Sequence, residues 1–231
     1  MDELVLTDEQ VRVLGALIEK EMATPDYYPL TLNALVNACN QKSNRDPVVQ
    51  YGDGAVLKAI QGLQSHNLGF EVNAVDSRVP KYEHNIGKRL MLSVQEIAIL
   101  AVLLLRGPQT VGELRGRTGR LYPFENLEEV AVTLDSLANR EQGALVTSLP
   151  IQPGRKEPRF AHLLAGEPRV EETPTYSSGP ATPPVPVASS AAPVDDELRE
   201  QVALLEEEVS RLSGELSELK AAFQAFREQF E

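Results

Sequence analysis

Cysteine occurs once in this chain, at Cys39, and tryptophan not at all. A single thiol excludes an internal disulfide and every CxxC metal or redox motif. Aromatic residues make up 5% of the chain against 42% hydrophobic overall, so its cores are aliphatic, which points to small helical domains. The three histidines, His66, His84 and His162, are scattered, and HExxH, a P-loop, GxGxxG and a nucleophile elbow are all missing. The expectation is a protein that is not an enzyme, with no catalytic residues, no metal and no cofactor. Long apolar runs are missing too: residues 97–105 are apolar throughout, but crossing a bilayer takes about 20. No basic, apolar, small-residue leader opens the chain, so a cytoplasmic location without a membrane partner is expected.

Positive charge is also in short supply, with a formal net charge of −12. Residues 1–90 carry 9 Lys and Arg against 12 Asp and Glu, residues 91–166 carry 8 against 8, and residues 167–231 carry 5 against 14. The acidity is therefore concentrated in the tail. The remainder is close to neutral, which neither supports nor excludes contact with a phosphate backbone.

What the chain does have is a repeated plan, centred on residues 31–68. Leu32, Leu35, Val36 and Cys39 fall on one face of a helix started by Thr31, and Val56, Ile60, Leu63 and Asn67 follow the same period in a second helix. The polar elbow between them, residues 41–47, is closed by Pro47, which disfavours helical geometry at Asp46. Extended patterns at 69–75 and 79–84 complete the order helix, elbow, helix and β-hairpin, which is that of a winged helix. Ahead of it, Thr7 and Gln10 form a capping box for a helix over 8–22, with Val11, Leu14, Ile18 and Met22 as its stripe. Tyr27 and Tyr28, in the break that follows, are expected to pack within their loop.

The plan returns further along. Ser93 and Glu96 repeat Thr7 and Gln10 86 residues later, Val130, Leu134 and Leu137 repeat Val56, Ile60 and Leu63 at 74, and Pro158 to His162 mirror Pro80 to His84 at 78. Thr110 and Glu113 open a further short helix. Agreement in both order and chemistry points to two copies of one fold. The extra apolar face of 97–105 is expected to pack between the two copies or in a dimer.

Seven prolines among Ser, Thr, Ala and Gly at 167–194 predict a disordered spacer. Beyond it, Leu198, Val202, Leu205, Val209, Leu212, Leu216 and Leu219, followed by Phe223, Phe226 and Phe230, are spaced 4, 3, 4, 3 without a slip. That is a heptad seam of the kind that makes parallel dimers. The predicted organisation is mainly α with small β-wings: winged-helix domains at 1–90 and 91–166, a Pro-rich linker at 167–194 and a coiled-coil helix at 195–231 that makes a homo-oligomer.

Thr24-Pro25 with Tyr28-Pro29-Leu30, the run 38–42, Asn44-Arg45-Asp46-Pro47-Val48, Leu103 to Gly107, Gly112 to Arg115 and 137–141 together resemble the YceH family of bacterial proteins. The likeness extends to Pro158, Arg159, His162 and Leu163 and covers nearly all of 5–166. It implies a tandem winged-helix fold. It supplies no catalytic or ligand residues.

Two functions fit this plan. In a DNA-binding winged helix, the helix after the elbow reads the major groove and the wing reaches flanking phosphate. The candidate contacts to double-stranded DNA are Lys42 and Arg45 in the first elbow, Lys58 on the following helix, and Arg78 and Lys81 around the first wing. In the second copy they are Arg115, Arg117 and Arg120 in the elbow and Arg155, Lys156 and Arg159 in the wing. Arg45 is open to a second role, bracing its elbow against a carboxylate. The reading helix of the second copy begins with Glu125, Glu128 and Glu129, which would repel phosphate. The alternative is a protein–protein scaffold, by fold-level analogy with ScpB-type subunits, assembled through the coiled coil.

Overall fold

The computed structural model describes residues 4–72, 79–151, 154–155 and 157–168. The spacer from residue 169 on and the whole heptad seam lie outside the described residues. The described residues belong to one compact unit, 1–173, rich in helix with two small antiparallel sheets.

Helix α1, Asp8–Ala23, opens on the expected box: Gln10 N–H donates to Thr7 Oγ1, and Thr7 N–H donates to Gln10 Oε1 at 2.9 Å. Its apolar face is broader than a single stripe, because every residue from Val11 to Ile18 is buried. After a 3₁₀ turn at Pro25–Tyr27 come strand β1, Leu30–Thr31, and helix α2, Leu32–Cys39, capped by the Thr31 hydroxyl. The elbow leads to α3, Asp53–Ser65, which buries Val56, Ala59, Ile60 and Leu63, and then to β2, Gly69–Val72, and β3, Lys81–His84. The sheet order is β1-β3-β2, with Tyr82 opposite both Leu30 and Glu71. The two tyrosines do not simply pack within their loop: Tyr28 packs against β3, its hydroxyl accepting from His84 N–H at 2.7 Å, and Tyr27 is 79% exposed.

A short helix, α4, Ile86–Leu90, unforeseen in the periodicity, joins the halves. The second half then runs α5, Val94–Arg106; α6, Val111–Thr118; α7, Leu127–Ala138; β4, Val146–Leu149; and β5, Arg159–His162. In place of β1 there is a single residue: Gln109 exchanges both backbone hydrogen bonds with Phe160, at 3.0 and 2.8 Å. The likeness reaches individual contacts. Glu96 accepts from the Ser136 hydroxyl at 2.9 Å, and at the matching place in the first half the Gln10 amide lies over Gly62, 1.9 Å from where a Cβ would sit.

The apolar run in α5 packs against α1. A Cβ on Gly15 would lie 2.9 Å from Leu105 Cγ and 3.0 Å from Leu104 Cβ, so the two helices touch where the first has no side chain. The first elbow is pinned to the same place, since Asp46 N–H donates to Leu105 O at 2.9 Å. The buried residues of both halves form one continuous core.

This contact has a simple consequence. Gly15→Ala gains helix propensity but overpacks the seam, and should cost about 1–3 kcal/mol in urea unfolding. Gly116→Ala in α6, where nothing lies within 4 Å of the new methyl, should instead stabilise by about 0.5–1 kcal/mol.

Candidate nucleic-acid interface

Whether the candidate cations can meet phosphate depends on what each already bonds. Arg45 is buried, with 6% of its surface exposed. Its guanidinium donates to both Glu19 carboxylate oxygens, at 3.0 and 2.6 Å, to Ala38 O at 3.1 and 2.8 Å, to Asn44 O at 2.9 Å and to Gln41 Oε1 at 3.0 Å. No donor is left to face a ligand. Arg45 is therefore the brace of its elbow, and the expectation that it contacts phosphate is corrected. Burial pushes the Glu19 carboxyl up, but the hydrogen bonds and charge of Arg45 outweigh it and hold Glu19 below its ordinary value.

Arg115 and Arg117 lie on α6 and not in the elbow beyond it. Arg115 donates to Glu125 O at 2.8 Å, tying down the far end of the loop before α7. Arg117 pairs with Glu113 at 3.5 Å, and Arg159 reaches the same carboxylate at 2.5 Å and Pro108 O at 3.1 Å. These three arginines are engaged within the fold. Lys42, Lys58, Arg120 and Arg155 are exposed and Lys81 half-buried, and none of the five pairs with a carboxylate among the described residues. Arg78 and Lys156 lie outside the described residues.

The exposed faces of α3 and α7, the helices expected from the sequence to read DNA, differ. On α3 the outer residues include Leu57, Lys58 and Gln61, with Lys58 close enough to Glu9 for its charge to be felt there. On α7 they include Leu127, Glu128, Ala131, Val132 and Asp135, with Leu127 51% and Val132 65% exposed. Glu129, the remaining carboxylate of that start, is occupied by the Tyr122 hydroxyl at 3.1 Å and Glu125 N–H at 2.9 Å.

Several polar groups that hold the site together escaped periodicity. Arg12 is buried within the apolar stretch of α1 and donates to Cys39 O at 3.3 Å and Pro47 O at 2.6 Å, clamping both ends of the first elbow. Burial, with help from the Arg45 charge, lowers its guanidinium below the ordinary value. Arg106 at the end of α5 donates to Asn44 Oδ1, and Arg140 donates to Leu90 O with its other nitrogen 3.6 Å from Glu96. The one available signal was Arg12 itself, a cation at the second of eight otherwise uncharged positions, 11–18.

Residues 6–155 match the family described as "Protein of unknown function, DUF480". The chain belongs to this family. A UPF0502 protein of Geobacter sulfurreducens is 50% identical over 230 residues, covering 99% of this chain and 100% of that one. One from Vibrio vulnificus is 49% identical over 94% of this chain and 96% of its own length, and one from Opitutus terrae is 50% identical over 79% and 77%. The YceH-type resemblance seen in the elbow and wing motifs is thus the family relation itself.

The two wing histidines differ in a way this DUF480 chain should reveal on acidification. His84 Nε2 lies 2.7 Å from Glu21 Oε2, and that contact lowers the Glu21 carboxyl below its ordinary value. Its counterpart His162 has a buried Nδ1 with no hydrogen-bond partner among the described residues, and burial pushes its pKa down from 6.5 to about 4. The unfolded chain takes that proton first, so this contribution is complete above pH 6.5 and is lost as pH falls toward 4, amounting to roughly 3 kcal/mol. Urea unfolding across that window should show the loss, and His162→Phe should lack that part of it.

Arg45→Ala should cost about 3–5 kcal/mol, because it strands the Glu19 charge and the Ala38 carbonyl. Arg45→Met together with Glu19→Leu should recover much of the loss in the same unfolding assay.

Proposed function

We propose that the chain is a non-enzymatic protein of two tandem winged-helix units, and that its first unit alone contacts double-stranded DNA. The strand order β1-β3-β2 behind helices α1 to α3 supports the fold, and the Gln109 bridge supports its repetition. One observation carries the DNA reading: three cations without a carboxylate partner, Lys42, Lys58 and Lys81, attend the first unit's reading helix, strand and elbow. In the second unit Arg120 and Arg155 are likewise without a carboxylate partner among the described residues, but Arg115, Arg117 and Arg159 are engaged internally and the reading helix shows carboxylates outward, which repel phosphate. The non-enzymatic reading is supported by Cys39, the single thiol of the chain, which burial raises to about 12 and so keeps from acting as a thiolate nucleophile.

Phosphate contacts position a protein without specifying sequence, so the binding is weakly specific and salt-dependent. Titrating a labelled random duplex over a salt series tests this. Changing Lys42, Lys58 and Lys81 to Ala should weaken binding and flatten the slope by roughly 0.9 for each phosphate no longer neutralised, whereas Arg155→Ala should change neither. An intact protein that fails to bind at about 50 mM salt ends the DNA reading.

A second reading, a protein–protein scaffold comparable to ScpB-type subunits, is favoured by the α7 face, where Leu127 and Val132 stand exposed alongside Glu128 and Asp135. In either case we propose homodimerisation through the heptads from Leu198 to Leu219 and a cytoplasmic location. No helix among the described residues is long and apolar enough to cross a membrane.

A further inference from the structure

Strand β4 pairs with β5 on one side, and the direction of its backbone groups can be deduced. Leu163 N–H donates to Leu145 O at 2.8 Å, so Leu145 and Leu163 form a hydrogen-bonded pair just before β4. Bonded and non-bonded pairs alternate along an antiparallel ladder, which puts Thr147 and Leu149 in bonded pairs and Ser148 in a non-bonded pair with Phe160. Phe160 agrees: its N–H and C=O both turn away from β4 to Gln109. The N–H and C=O of Ser148 therefore point outward, away from β5. No described residue bonds to either.

That edge is not bare surface. A groove of about 1090 Å³ runs beside it, and Thr147, Ser148, Leu149 and Pro150 line it in succession. Successive strand residues face opposite ways, so four in a row border one groove only when it follows the strand's edge. The far side is made by the ends of α3 and α4, at His66 and at Arg89 to Met91. Its charges are Arg89 and Arg140 against the single carboxylate of Glu167. Arg140 is engaged with Leu90 O and Glu96, while Arg89 is exposed and makes one long contact, 3.4 Å, to His66 O.

We propose that the outer edge of β4 is a docking site for an extended peptide of alternating apolar and acidic residues from another protein, paired through the backbone of Ser148 and steered by Arg89. An unpaired strand edge is a template for one more strand, and main-chain hydrogen bonds supply the affinity in such additions. The groove gives that strand room, and Arg89, which has no carboxylate partner among the described residues, selects acidic side chains. The inference stands apart from DNA contact, which rests on Lys42, Lys58 and Lys81, none of which lines this groove.

The test uses the full chain and a blocked seven-residue peptide of alternating valine and glutamate, followed by amide-resolved NMR and hydrogen exchange. At saturation the Ser148 amide should exchange at least tenfold more slowly, while Thr147 and Leu149, already bonded to β5, stay as they were. The same peptide with alternate backbone nitrogens methylated should fail to bind, and Arg89→Glu should weaken binding several-fold without altering the melting temperature. The proposal is overturned by any of three results: no amide shift up to about 1 mM peptide, equal binding of the methylated peptide, or a Ser148 amide already protected in the free protein. The last would mean that another segment or a second copy covers the edge.

Discussion

The contact between α1 and α5 at Gly15 is the constraint on which the rest depends. Each helix is the first of its half, and in an isolated three-helix unit each would need solvent-tolerant residues on its outer side. Here both are buried nearly all round, α1 from Val11 to Ile18 and α5 from Ala98 to Leu105. Neither half could show that much aliphatic surface to water, so the halves are stable as partners. Close approach requires the missing side chain at residue 15, and the backbone bond from Asp46 to Leu105 carries the same constraint into the first elbow.

From this seam the two halves diverge. The first elbow is braced by two buried arginines, Arg12 and Arg45, which between them take the carbonyls of Ala38, Cys39, Asn44 and Pro47. The second has no buried arginine at the matching positions; it uses Arg115 on Glu125 O and Glu129 on the loop amide. A buried guanidinium left without its acceptors is costly, so each brace is tied to its own elbow. The same bonds bury two cations of the first half, Arg12 and Arg45, whereas Arg115 and Arg117 of the second stay exposed while bonded within the fold.

Local rules were readable wherever they act locally. All three capping boxes, the helix expected over 8–22 and found over 8–23, and the pairing of 69–72 with 81–84 are set by neighbours three or four residues apart or by alternation, and they are as the sequence suggests. Gln109 was not readable as a strand, because one residue pair has no periodicity. Helix α4, five residues long, is equally short of signal. Arg45 was ambiguous for a different reason: a cation in a polar loop reads the same whether it faces phosphate or Glu19, and only the folded position of α1 decides. The run 97–105 announced an extra buried face, and α1 is what covers it. Of the candidate site, the location of the cations was legible and their partners were not, since Glu113 and Glu19 reach Arg159 and Arg45 across 46 and 26 residues.

The central claim is that the seam makes residues 1–168 one cooperative body and not two domains in contact. Native-state hydrogen exchange at rising urea measures this directly. The amides of Leu14 in α1 and Leu100 in α5 should merge into one opening, with the same free energy and the same urea dependence as global unfolding. Exchange of the α5 to α7 amides through a separate, cheaper opening while those of α1 stay protected would contradict it.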